Sequence, residues 1–278
     1  MFYTTILKKL IPNNYFIYFY SMIFDFYKYQ GTGNDFIIID DRELNFDINN
    51  NKLIASLCER RWGIGADGLI LLRNNREYDF EMIYFNSDGL QSSMCGNGGR
   101  CIVDFARILG IVKNKANFLA IDGIHQAKFL EDEISLKMKD VTEIKKIEKD
   151  FLIDTGSPHY IKMIDNLETL NIQKEARIIR CSPLFEEEGV NVNFVSNNSN
   201  INVRTYERGV EAETLSCGTG AIAVAIAMYY DELTHESIVN INTKGGILNV
   251  CFEEFNGVFR NIWLSGPVNM IYSGEFEY

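Results

Sequence analysis

Short apolar runs recur along the chain, each rich in β-branched or aromatic residues. They fall at 36–40 (FIIID), 69–73 (LILLR), 80–85 (FEMIYF), 129–130 with the residues before it, 134–138, 202–206, 238–243, 247–252 and 258–264. Runs of this length and composition predict strands. Residues 50–61 predict a surface helix, with Leu53, Ile54 and Leu57 on one face. Two segments follow neither pattern. Residues 99–109 (GRCIVDFARIL) and 221–230 (AIAVAIAMYY) are helix-length yet apolar on nearly every side. A helix apolar all round must be buried all round.

Each of these segments follows the same word, Cys95-Gly96-Asn97-Gly98 and Cys217-Gly218-Thr219-Gly220. The two cysteines are 122 positions apart (217 − 95 = 122). Other features repeat at nearly that offset. Gly33 and Gly156 each open a strand, Tyr84 and Tyr206 each stand eleven residues before a cysteine, and Gly123 and Gly245 each make a turn 28 positions after one. The period is too long for a solenoid. It predicts an α+β fold of two pseudo-symmetric domains, each a mainly antiparallel β-sheet or barrel wrapped around one buried central helix. The charged stretch 141–150 (VTEIKKIEKD) marks the boundary. Residues 22–141 are then the first domain and 142–266 the second, with a final strand at 267–278 returning to the first.

The charge balance, 27 basic against 38 acidic side chains for a net −11, narrows the partners. It argues against nucleic acid or an anionic membrane, both of which need a basic footprint. The longest uncharged stretch near the start, 10–24, is too short to span a membrane and precedes no small-residue cleavage site. Met22 is a plausible alternative start, so 1–21 reads as an extension or a mis-assigned start. The six cysteines form no CxxC pair. That disfavours a zinc site and, in a chain of this size, a disulfide framework. A reduced, cytoplasmic protein is expected.

The paired Cys-Gly-x-Gly words carry the chemistry. Glycines allow close approach of backbone N–H groups, and the following helix points its positive end at the same place. A thiol there has a lowered pKa and becomes a usable base or nucleophile. A substrate carboxylate can be gripped by the same N–H groups. Two such domains bring two thiols to one cleft, where one takes a proton from a carbon and the other delivers one to the opposite face. A stereocentre is inverted without cofactor or metal. A redox dithiol is the alternative, although redox pairs usually stand adjacent as CxxC. Other features read as structure. The GxGxxG at 63–68 follows a helix and precedes a strand, the reverse of a dinucleotide site. Glu186, Glu187 and Glu188 read as a solvated loop, and Cys58, Cys101, Cys181 and Cys251 as small core residues.

The words at 31–36 (GTGNDF), 63–68 (GIGADG), 85–89 (FNSDG), 94–101 (MCGNGGRC), 156–159 (GSPH), 189–191 (GVN), 206–209 (YERG) and 216–220 (SCGTG) together resemble the diaminopimelate epimerase family, in the family's order, over about residues 22–278. The resemblance implies an isomerase that interconverts LL- and meso-2,6-diaminopimelate for lysine and peptidoglycan synthesis, independent of pyridoxal phosphate. It implies Cys95 as proton donor and Cys217 as proton acceptor, assisted by His159 and Glu207. Gly96, Asn97, Gly218 and Thr219 would present N–H groups to the reacting carboxylate. Asn34, Asn86, Asn191, Glu207 and Arg208 would hold the ammonium groups and the distal carboxylate, for which the planar fork of arginine is suited.

Two departures stand out. Ser157 replaces a frequent Asn and would shorten one substrate contact or route it through water. Gly68 replaces a substrate-contacting Gln of some members, so that contact must come from elsewhere. Proline and hydroxyproline racemases share the two-thiol logic but usually carry His where Asn97 stands here. A non-catalytic binding protein on the same duplicated fold is the other reading. The partner expected is a small-molecule substrate; a homodimer stays open.

Overall fold

A computed structural model describes the backbone of residues 4–11, 15–198 and 200–278, and the side chains of 22–198 and 200–278. In chain order the first half holds β1 (Thr4–Ile11), β2 (Tyr15–Gly31), β3 (Asn34–Asp40), α1 (Asn51–Cys58), β4 (Gly68–Arg73), β5 (Phe80–Asn86), β6 (Gln91–Ser92), α2 (Gly96–Ile108), β7 (Lys115–Ala120), β8 (Gly123–Phe129) and β9 (Ile134–Lys137). The second half holds β10 (Ile144–Ile147), β11 (Asp150–Asp154), β12 (Pro158–Met163), α3 (Ile172–Arg180), β13 (Asn191–Asn197), β14 (Ile201–Glu207), β15 (Ala212–Thr214), α4 (Gly218–Tyr230), β16 (Ile238–Thr243), β17 (Gly246–Phe255) and β18 (Val258–Gly266). Last comes β19 (Asn269–Glu277).

The halves repeat one wiring, as an α+β fold of two pseudo-symmetric domains. In each, two strands run parallel across a helical crossover: β3 with β4 around α1, in register Phe36 with Gly68, and β12 with β13 around α3, in register His159 with Asn191. The other ladders are mostly antiparallel, apart from β5 with β7 and β14 with β16. β9 and β18 join the halves antiparallel, Leu136 opposite Leu264. β19 crosses back to pair with β2. β1 pairs with Tyr15–Met22 of β2, and β19 is in register with β2 from Ile23 onward, with Tyr278 just past β19 bonded to Met22. The side chains of the expected extension, 1–21, lie outside the described residues.

The unbroken apolar runs follow from burial on both faces. Phe36, Ile38, Ile70 and Leu72 turn inward to α2, while Ile37, Ile39, Leu69 and Leu71 pack beneath α1. In the second half Ala221 to Met228 of α4 are all buried, against Phe151, Ile161, Val195, Ile241, Val250 and Leu264. Each large aliphatic side chain there contributes about 1.5–3 kcal/mol of transfer free energy. Small residues at Ala221, Ala223, Ala225 and Ala227 let strands close around the helix.

Several expectations need correcting. α1 stops at Cys58, because Glu59 is extended, rather than reaching 61. α3 was not expected; Asn171 caps it through the Lys174 amide, and only Ile172 and Ala176 are buried. Cys181 is its exposed C-cap rather than a core residue, and Cys251 is half-buried. The charged stretch 141–150 includes a strand, β10, paired to β11. The turn between β16 and β17 takes its left-handed residue at Gly246, φ +140°, the true counterpart of Gly123. Gly245 serves close approach instead, since a Cβ there would fall 1.8 Å from the Thr32 carbonyl oxygen.

Candidate active site

Cys95 and Cys217 are the N-cap residues of α2 and α4, the two central helices. Neither side chain caps its helix by hydrogen bonding in the usual way. The backbone amides of Gly98 and Asn97 still act to lower the Cys95 thiol, and that of Gly220 to lower Cys217. The two helix starts are clasped together. Asn97 Nδ2 donates to Ser216 Oγ at 3.1 Å, and the Thr32 and Ser216 hydroxyls meet at 2.8 Å. Residues one or two away from each thiol are thereby tied to each other across the halves.

Both thiols are pushed up from the ordinary cysteine range, first by burial and then by the Glu207 carboxylate. The backbone amides pull the other way but do not win at either sulfur. The expectation of lowered thiol pKa values is therefore reversed here: removal from water outweighs the helix ends. Glu207 is itself raised, by burial, against donation from Thr214 and Cys217. It faces both thiols.

The surroundings of the thiols differ. On the Cys217 side, Asn193 Nδ2 donates to His159 Nδ1 at 3.1 Å, while its Oδ1 accepts from Thr205 at 3.0 Å. His159 Nε2 is therefore the protonated nitrogen, and it reaches Thr219 Oγ1 at 2.9 Å and Ser157 Oγ at 3.0 Å. Thr219 Oγ1 in turn lies 3.5 Å from the Cys217 sulfur. Burial, with the nearby Arg208 charge, lowers the His159 pKa to about 3, so the ring is neutral. On the Cys95 side, the thiol donates to Asn34 Oδ1 at 3.4 Å, and Asn34 Nδ2 is held by Asp67 at 2.6 Å. Arg60 braces Asp67 and Asp35 together.

The other expected residues divide by environment. Asn191 is buried and engaged: Nδ2 donates to Pro158 O at 3.0 Å and Ser157 Oγ at 3.3 Å, and Oδ1 accepts from the Arg208 amide at 2.9 Å. It fixes the backbone that carries Arg208. Arg208 is exposed and donates to Glu188 O at 2.9 Å, while Asn86 is exposed at the end of β5. Gly96 and Gly218 are half-buried at the helix starts. The space opened at Gly68 is filled by Tyr84, whose hydroxyl lies 3.0 Å from where a Cβ would sit. Tyr84 is raised by burial and then by Cys95. Among the described residues no cluster of His, Cys, Asp and Glu is arranged to hold a metal, and no helix is long and apolar enough to cross a membrane.

Thr32, Asp67, Arg100, Asn193, Thr205, Thr214 and Ser216 belong to this network and were not expected in it. Thr32, Asp67, Arg100 and Ser216 stand inside the motif words at 31–36, 63–68, 94–101 and 216–220. Asn193 had a usable signal: two positions after Asn191 on a strand, it shares that residue's face.

A family model described as diaminopimelate epimerase matches residues 26–142 and 151–271. A diaminopimelate epimerase of Flavobacterium psychrophilum is 52% identical over 249 residues, covering 88% of this chain and 97% of that protein. One of Aquifex aeolicus is 39% identical over 275 residues, covering 91% and 98%. Among solved structures, a phenazine biosynthesis protein of the PhzF family from Bacillus anthracis superposes with a TM-score of 0.73 at 14% identity, covering 92% of this chain and 99% of that one, a likeness of fold.

Proposed function

The chain belongs to the diaminopimelate epimerase family, and from that membership we propose that it interconverts LL- and meso-2,6-diaminopimelate by two-thiol proton exchange, in the cytoplasm, supplying lysine and peptidoglycan synthesis. The observation that carries this reading is the placement of Cys95 and Cys217 at two clasped helix starts, with Glu207 facing both.

The substrate α-carboxylate sits against the N–H groups of Gly96, Asn97, Gly218 and Thr219, where the helix ends favour an anion. Cys217 passes its proton to Glu207, and Thr219 together with the Gly220 amide holds the resulting thiolate. That thiolate takes the α-proton, and the electron pair left on carbon is stabilised through the carboxylate. Cys95, kept protonated by burial and by Asn34, delivers its proton to the opposite face. The old Cα–H bond is broken, a new one is formed, and charge has moved from Glu207, by way of Cys217, to Cys95. Glu207 then releases the proton it took and Cys95 regains one, through solvent, which resets the site with no net proton gained or lost. His159 and Ser157 set the direction of the Thr219 hydroxyl. Arg208 takes the distal carboxylate as a bidentate fork, with Asn34, Asn86 and Asn191 around the ammonium groups.

The test is incubation with LL-diaminopimelate in heavy water. Deuterium at a single α-carbon, together with the meso isomer, is the expected product, and Cys95→Ala or Cys217→Ala is expected to abolish it. Turnover by either variant at near the parent rate would refute the two-thiol assignment.

A further inference from the structure

Arg100 lies one turn into α2 and is fully buried. Its Nη2 donates to Asn97 Oδ1 at 2.9 Å and to Thr32 Oγ1 at 3.2 Å. Its Nε and Nη1 have no hydrogen-bond partner among the described residues, and no carboxylate forms an ion pair with it there. A buried cation left this way costs several kcal/mol, and an orphaned buried donor calls for a reason.

The chamber is shaped to hold it. A Cβ on Gly266 would lie 2.8 Å from Leu248 Cδ2 and 3.2 Å from the guanidinium carbon and Nη2, and one on Gly31 would lie 3.2 Å from the Asn97 carbonyl oxygen, 3.3 Å from Cys101 Sγ and 3.5 Å from Nη2. Neither glycine has a left-handed backbone, so both are explained by space. Gly31 ends β2 and Gly266 ends β18, so the cation is enclosed at the seam between the halves, under the clasp that joins the helix starts.

The repeat makes the placement informative. One repeat later the position of Arg100 is Ile222, fully buried in α4. Glu207 faces both thiols, but only Cys217 has Thr219 beside its sulfur and His159 behind that hydroxyl. Among the described residues no side-chain hydroxyl is hydrogen-bonded to the Cys95 sulfur; its partner Asn34 Oδ1 is an acceptor and favours the thiol, not the thiolate.

We propose that Arg100 is a positioning residue that supplies the buried positive charge against which Cys95 becomes a thiolate after delivering its proton. This rests on the two-thiol reading and adds how the charge that reading places on Cys95 is held. The groups facing Cys95 are Glu207 from β14, Cys217 from α4 and Tyr84 from β5, none of them cationic. Those facing Arg100 are Cys95, Cys101 and Glu133. Arg100 is thus the one cation in the set, and geometry ties it to the thiol through Asn97, whose Oδ1 accepts from Arg100 Nη2 at 2.9 Å and whose Nδ2 donates at 3.3 Å to the same Asn34 Oδ1 that accepts from Cys95; it acts on Cys95 against Glu207.

The experiment is the pH profile of iodoacetamide alkylation of full-length protein, read at the Cys95 peptide by mass spectrometry. Arg100→Gln keeps an N–H donor for Asn97 and Thr32 but removes the charge. Arg100→Lys keeps the charge. The Cys95 midpoint should rise by about one pH unit or more in Arg100→Gln, the scale of an opposite charge lost nearby, and stay near the parent value in Arg100→Lys. Equal midpoints in all three proteins, or equal shifts in both variants, would overturn the proposal. Should Arg100→Gln not fold, Arg100→Met gives the same comparison without a polar group to satisfy, and is expected to melt no lower than the parent. The readout needs no turnover, so it can fail while the deuterium experiment succeeds, and the reverse.

Discussion

His159 shows how much one residue's protonation state can matter. It is neutral in the fold because burial and Arg208 lower its pKa to about 3 from 6.5. The unfolded chain binds a proton on this ring below pH 6.5, and the folded chain does not until about pH 3. The unfolded state therefore holds more protons in that window, and stability falls as pH drops through it. His159→Gln keeps a hydrogen-bonding side chain and removes this linkage. The expected outcome is a smaller loss of urea midpoint between pH 7.5 and 5 in the variant than in the parent. Equal losses would mean that the ring protonates in place. Activity at pH 7.5 should fall in His159→Leu, which leaves Thr219 without the donor that orients its hydroxyl.

At the scale of elements, the two central helices and the two-faced strands were legible because their chemistry is extreme. An all-apolar helix has one place to go, and FIIID or LILLR cannot lie at a surface. The Cys-Gly-x-Gly words located both helix starts to within a few residues. What is not legible in the sequence depends on contacts between distant segments. α3 is amphipathic over about two and a half turns, and its charged residues outnumber its buried ones. The Asn193–His159–Thr219 chain links three elements that no local pattern joins. The thiols depart from the helix-start expectation because a sequence displays a helix start but not the depth at which it is buried. The same chain exposes a weak point of α4. A Cβ on Gly220 would lie 2.5 Å from Asn193 Oδ1 and 3.4 Å from the Cys217 sulfur. Alanine is the better helix former by about 1 kcal/mol, so propensity alone predicts a harmless change. We expect Gly220→Ala to lose most epimerase activity with helix content unaltered by circular dichroism. Parental turnover would show that Asn193 can move without cost.

For the whole molecule, the clasp between helix starts brings two thiols to one chamber. Oxidant should inactivate the protein by linking Cys95 to Cys217, dithiothreitol should restore it, and bound substrate should protect by standing between the sulfurs. Non-reducing peptide mapping checks this. Reversible inactivation without that cross-link would mean the sulfurs do not face one another.

The return of β19 to β2 has a consequence for how the protein is made. Gln30 is paired with Asn269, and Met22 and Tyr278 exchange both backbone hydrogen bonds, at 2.7 and 2.9 Å. A ribosome releases the first half long before the strand that completes its sheet. Through all that time β2 carries an open edge, with Phe24 and Phe26 waiting for the stacking and edge contacts that Phe276 and Tyr272 provide. Such an edge invites pairing with other nascent chains, and a ladder between segments so far apart closes slowly. The first half, although translated first, should be the last to become resistant to protease during synthesis.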